Sequence, residues 1–168
     1  HTDSSAASDV YKRQSLNGQP TLSRSQAEIG DTIVCNATGS DVDGDAVSLS
    51  YQWLDSIDNV LGSSNSYVVQ NLPVGETIRC RASITDGVSS GASLESSTAM
   101  VINSAPVISN AVISPSSGLT TSSLLTCSAT ATDANDGSLA VTYAWTATNG
   151  ASSTGSSWQL TSSIVSTV

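Results

Sequence analysis

The chain has 168 residues, with 14 acids against 5 bases, a formal charge of −9 and no Phe. Nucleic-acid binding rests on neutralising phosphates with Lys and Arg, so this balance argues against it. No run approaches the ~18 consecutive apolar residues of a membrane helix, yet a hydrophobic content of 38% separates the chain from plainly disordered sequences.

Taken in chain order, residues 1–14 stand apart. Ser4 to Gln14 reads SSAASDVYKRQ, which resembles the in-frame translation of a sequencing adapter; the alternative is an ordinary polar tail. On the adapter reading, 1–14 is a non-native tail and the chain is a gene fragment with an unreliable start.

From residue 15 the period is that of strands. Thr32 to Ala37 puts Ile33, Cys35 and Ala37 on one face, and Ser48 to Trp53 does the same with Leu49, Tyr51 and Trp53. Thr77 to Ile84 points Ile78, Cys80, Ala82 and Ile84 one way, with Arg79 and Arg81 outward. Alternation of this kind marks half-buried antiparallel strands. Asp43-Gly44-Asp45, Pro73-Val74-Gly75 and Asp86-Gly87 are turn signals between the runs. Asn103-Ser104-Ala105-Pro106 follows an apolar run and reads as a tight linker. Beyond it Leu125, Cys127, Ala129 and Ala131 alternate, then Val141, Tyr143 and Trp145. No segment holds a helical period, so the class expected is all-β.

The second half echoes the first. Cys35 and Cys127, Trp53 and Trp145, Tyr51 and Tyr143, Asp41 and Asp133, and Thr38 and Thr130 all stand 92 positions apart. Five matches at one offset, two of them on rare residue types, mark CNATGSDVDGDAVSLSYQW and CSATATDANDGSLAVTYAW as copies of one segment. The expected domains are 15–103 and 104–168. The equivalent of Cys80 in the second copy would fall at about position 172, so that copy reads as incomplete at its C-terminus.

The order Cys…Trp…Cys on strands resembles the immunoglobulin-like sandwich, in which two Cys join the sheets and a Trp packs on the bridge. Two features depart from it. The Cys35-to-Trp53 gap is long because an acidic loop lies within it, and Ile78 stands where a tyrosine corner would be. CNATGSDVDGD, YQW, CRASITDG and NSAP are more closely similar to the tandem immunoglobulin-like or polycystic-kidney-disease-type (cadherin-like) repeats of large bacterial surface and secreted proteins. That resemblance covers almost all of 19–168. It implies tandem immunoglobulin-like antiparallel β-sandwiches, the second truncated, with Trp53, Trp145, Tyr51 and Tyr143 in the cores. It also implies a Cys35–Cys80 disulfide, against the alternative of two buried thiols. A bridge closing that loop stabilises by about 4 kcal/mol in the chain-entropy model and calls for an oxidising compartment, extracellular or at the cell surface. Cys127 is then left unpaired by truncation, or is a reactive or intermolecular thiol.

Asp41-Val42-Asp43-Gly44-Asp45 is the sharpest local feature. Alternating carboxylates around a Gly are how calcium loops are built, because hard cations want several oxygen ligands. The sandwich resemblance places Asp86 at the same tip. The competing reading is a solvated turn, since Asp and Gly are ordinary turn residues. Asp133 and Asp136 form a weaker version in the second copy, where calcium would stiffen the interdomain joint. Catalysis is not expected. Residues 15–168 hold no His, which excludes a Ser-His-Asp triad. A Cys/His zinc site is excluded on the same ground.

The function expected is a structural spacer or adhesion repeat whose partners are neighbouring repeats of the same chain and cell-surface protein or carbohydrate. The alternative is a carbohydrate- or ligand-binding accessory module of a secreted enzyme, which would need Tyr67 and Trp158 exposed.

Overall fold

The structure, a computed structural model, describes residues 14–42, 44–87 and 89–161. All regular structure among them is strand. Thr, Val and Ile are rich in the longer runs, and their branched side chains suit a pleated, half-buried surface. The chain divides into two compact units, His1–Asn103 and Ser104–Val168.

Unit 1 runs β1 (Ser15–Leu16), β2 (Thr21–Leu22), β3 (Gln26–Ala27), β4 (Thr32–Asn36), β5 (Gly39–Ser40), β6 (Ser48–Leu54), β7 (Val60–Gly62), β8 (Ser66–Val68), β9 (Thr77–Thr85), β10 (Leu94–Glu95) and β11 (Ala99–Val101). β1 and β5 form a small antiparallel ladder; of the two larger sheets one has the order β2-β4-β8, the other β3-β11-β9-β6-β7. β10 and β11 follow one another along the edge of β9 away from β6, at Arg81–Ala82 and Thr77–Ile78. β9 is the central strand, pairing with β6 over seven residues from Ser48↔Thr85 to Leu54↔Arg79. Along it Ile78, Cys80, Ala82 and Ile84 are buried, every second residue. The two sheets meet on one core of Ile33 and Cys35 from the first with Trp53, Ile78 and Cys80 from the second, closed by Tyr67, Val69, Ala99 and Val101. This is a β-sandwich.

Gln14, placed by sequence in the N-terminal tail, is packed into unit 1. It is 2% exposed, and its Nε2 donates to the Ser89 carbonyl at 2.5 Å. The rest of the segment assigned to the adapter lies outside the described residues.

Unit 2 runs β12 (Val107–Ser114), β13 (Leu124–Asp133), β14 (Gly137–Leu139), β15 (Ala144–Thr146), β16 (Ser152–Thr154) and β17 (Ser157–Gln159). β12 lies along one edge of β13; β17 pairs with the start of its other edge and β14 with its end. β15 and β16 form a separate hairpin. The buried core is Leu125, Trp145 and Leu160, with Cys127 and Trp158 packed against it.

Individual contacts recur between the units. The Cys35 amide donates to the Asn65 carbonyl at 2.8 Å, and the Cys127 amide to the Ser156 carbonyl at 2.8 Å. Val69 N–H donates to Asp31 at 2.9 Å, and Leu160 N–H to Ser123 at 2.9 Å. Trp53 Nε1 donates to the Ser64 carbonyl at 2.9 Å, and Trp145 Nε1 to the Gly155 carbonyl at 2.7 Å. Trp53 lies against Tyr67 with ring centroids 5.8 Å apart, and Trp145 against Trp158 at 6.1 Å. The corresponding residues stand 92 apart as far as Ser152 and 91 apart from Ser153 on, because the β6–β7 ladder carries a one-residue bulge between Trp53↔Gly62 and Leu54↔Val60 that the β15–β16 ladder, with Trp145↔Ser153 and Thr146↔Ser152, lacks.

Candidate functional site

The β6–β9 register positions the acidic loop. Ser48 pairs with Thr85, so the segments before β6 and after β9 leave the same end of the sheet. Asp41 and Asp45 therefore share an end of unit 1 with Asp86; Asp43 lies outside the described residues. The turn closes through Gly44, whose φ of 87° suits only Gly comfortably and whose N–H reaches the Asp41 carbonyl at 3.3 Å. Asp86 Oδ1 accepts the Ser89 amide at 2.7 Å, which folds the β9–β10 loop back on itself. Among the described residues, no three His, Cys, Asp or Glu side chains come together to hold a metal ion.

In unit 2, Asp133 is buried at the end of β13 and Oδ1 accepts the Asn135 and Asp136 amides at 2.7 and 3.2 Å. The Asn135 side chain in turn accepts the Ser104 amide at 2.8 Å. Asp133 thus holds the β13–β14 turn, a job Asp does well because its short side chain mimics a backbone turn.

The cysteines divide sharply. Cys35 and Cys80 form a disulfide between the two sheets, with Cα atoms 6.2 Å apart. Cys80 is held from both sides of its backbone, its N–H donating to Ser96 Oγ at 3.0 Å and its carbonyl accepting from Ser96 N–H at 2.8 Å. The bridge fits an oxidising compartment. Cys127, the counterpart of Cys35, is a free, half-buried thiol. Trp53 is fully buried and Trp145 nearly so, whereas Tyr51 and Tyr143 are half-buried. The Tyr143 hydroxyl accepts the Ala129 amide at 3.2 Å. Val141, Tyr143, Ala144, Thr154 and Gly155 line an open depression of about 650 Å³. Tyr67 is buried on the Trp53 side of the core, and burial raises its phenol pKa.

A charged ladder covers the outer face of β9, and strand alternation marks only its arginines. Arg79 Nε meets Glu95 at 2.8 Å, and Arg81 meets the other Glu95 oxygen at 2.7 Å. Arg79 also pairs with Asp58 and donates to the Asp55 carbonyl at 2.7 Å. Asp55 pins the β6–β7 turn by accepting the Ile57 and Asn59 amides at 3.0 and 2.8 Å. Burial acts to raise the Asp55 pKa, but the Asn59 and Ile57 hydrogen bonds and Arg79 together hold it low. Arg81, then Arg79, hold Glu95 below the ordinary glutamate value. Ser56 and the Thr77 amide do the same for Glu76. Arg24 pairs with Asp31 at 2.5 Å, so each of the three arginines among the described residues is tied to a carboxylate. The signal for the ladder was the outward placement of Arg79 and Arg81; its acidic partners Glu95 and Asp58 stand 14 to 21 residues away.

No family model, curated protein or solved structure matches the chain.

Proposed function

We propose that the chain is a structural spacer or adhesion repeat of a large secreted or cell-surface bacterial protein, built from immunoglobulin-like sandwiches in tandem. The observation that carries this reading is the recurrence of backbone and indole hydrogen bonds at a near-constant offset, around paired tryptophans and cysteines. A module reused along a chain is suited to setting distance. The disulfide supports it further, because a covalent tie between two sheets keeps the segment between Cys35 and Cys80 from extending under load. Burial of Tyr67 and packing of Trp158 on Trp145 favour a spacer over the sugar-binding alternative, whose stacking platform would need these rings in solvent.

Pulling on the full chain from its two ends tests the reading. Unit 1 should unfold in a discrete event that lengthens by about 150 Å once the disulfide is reduced, since the loop of 45 residues is then released. Smooth extension of the oxidised chain with no such event would overturn it. In the finer form of the proposal, calcium binds the Asp41, Asp45 and Asp86 end and stiffens unit 1. Millimolar calcium should then raise the thermal midpoint of unit 1, and an unchanged midpoint removes calcium from the reading.

A further inference from the structure

The chain holds two Asn-Gly pairs, Asn17-Gly18 and Asn149-Gly150, both exposed. Asn is a thermolabile residue. A following Gly has no Cβ, which leaves the Asn side chain open to attack by the next backbone nitrogen. In each pair a donor sits on the Asn oxygen: the Ser40 hydroxyl on Asn17 Oδ1 at 3.0 Å, and the Ala151 amide on Asn149 Oδ1 at 3.0 Å. Negative charge gathers on that oxygen when the side-chain carbonyl is attacked, so such a donor favours the attack. The pairs differ at the nucleophile. Gly150 N–H donates to the Ala147 carbonyl at 3.0 Å, inside the β15–β16 turn. Gly18 N–H has no acceptor among the described residues. Asn17 itself is fixed at the end of β1, where its N–H donates to the Thr38 carbonyl at 2.8 Å. Asn17 and Gly18 line an open depression of about 210 Å³ with Thr21, Asn36 and Thr38, so water reaches both.

We propose that Asn17 is a site of self-modification, deamidating through Gly18 with help from the Ser40 hydroxyl, while Asn149 is protected by its turn. The Gly18 backbone nitrogen attacks Asn17 Cγ and a new C–N bond closes a succinimide ring. The bond from Cγ to Nδ2 breaks, and ammonia leaves with the proton that Gly18 gave up. Water then opens the ring at either carbonyl, leaving Asp or isoaspartate at position 17. No oxidant or enzyme is needed, only water. The isoaspartyl product has one more carbon in the backbone between Asn17 and Gly18, and the amide that Ser40 held is gone. β1 pairs with β5 only through Ser15↔Ser40 and Leu16↔Gly39, extended by the Asn17 contacts. Modification therefore loosens the end of β1 from β5 as the protein ages. This chemistry stands apart from the spacer role.

The experiment ages the full folded chain in mildly alkaline buffer and follows both asparagines by mass spectrometry. Cleavage after Arg13 and Arg24 isolates Asn17 on one peptide. Synthetic peptides covering residues 14–24 and 144–154 give the rate of each pair free of the fold. Asn17 should deamidate as fast in the folded chain as in its peptide. Asn149 should be about tenfold slower in the chain than in its peptide, the effect of one hydrogen bond that must be given up. Equal protection of the two asparagines by the fold would overturn the proposal. Ser40→Ala should slow the reaction at Asn17 and leave Asn149 unchanged; a faster or unchanged rate at Asn17 would remove Ser40 from it. In the aged chain hydrogen exchange should quicken at the residue 17 amide, and in a fresh Asn17→Asp chain, whose backbone is normal, it should not. Unchanged exchange after ageing would overturn the loosening of β1.

Discussion

Ile33, Cys35, Trp53 and Val69 in unit 1 correspond to Leu125, Cys127, Trp145 and Leu160 in unit 2, and the hydrogen bonds around them match. Their burial does not. The first four are at most 1% exposed, while Leu125, Trp145 and Leu160 stand at 6 to 9% and Cys127 is half-buried. Around the unit 1 set lies a sheet centred on β9 that contributes Ile78, Cys80, Ala99 and Val101. Around the unit 2 set, β12 leaves Val107, Ile108, Val112 and Ile113 in solvent. Strand pairing and tryptophan orientation thus form locally and are the same in both units. Sealing the core takes the opposing sheet.

The comparison breaks most visibly at the tryptophans. Trp53→Ala should cost about 4 kcal/mol, since a fully buried indole leaves a large cavity and strands the Ser64 carbonyl. Trp145→Ala should cost less, because that indole has fewer buried neighbours to lose. Denaturant unfolding followed by hydrogen exchange in each unit measures both; equal costs would mean the cores are equally sealed.

Next comes the bridge. Replacing Cys35 and Cys80 together with Ala should lower unit 1 stability by about 4 kcal/mol, from the freed loop of 45 residues. Cys127→Ala, at the corresponding position, should leave exchange in unit 1 unchanged and shift unit 2 by about 1 kcal/mol or less. A loss in unit 2 as large as that in unit 1 would show that Cys127 contributes by packing rather than by bonding.

The smallest effect sharpens the comparison through pH. Arg81 and Arg79 hold the Glu95 pKa below its ordinary value of about 4.3 in the folded protein. Its contribution to stability is therefore complete above that value and is lost as pH falls through the lower folded value. Unit 1 should lose stability below about pH 4, and Glu95→Gln should flatten that part of the profile. Glu95 is partly solvent-exposed, so screening limits the effect to about 1 kcal/mol or less. Unchanged acid dependence in Glu95→Gln would show that other carboxylates govern it.

Much of this was legible in the residues. Period-2 alternation located β4, β6, β9 and β13 and their inward faces, because a strand with one buried face must place apolar side chains at every second position. The Glu95 ladder and the burial of Gln14 were not. Each joins residues far apart in sequence, Arg79 and Glu95 by 16 positions and Gln14 and Ser89 by 75, through a register that no local pattern specifies.

The amino-acid sequence by itself determined the all-β class, the faces of the long strands and the correspondence of the two halves, since these follow from side-chain alternation and from rare residues at a fixed offset. Only the tertiary structure decided which cysteine is bonded, which tryptophan is sealed and where the acidic residues go. Those outcomes depend on β9 lying between β6 and β11, where it brings Cys80 opposite Trp53 and within bonding reach of Cys35. Asp55, Asp58 and Glu95 gather on its outer face around two arginines, and Asp41, Asp45 and Asp86 remain at its end.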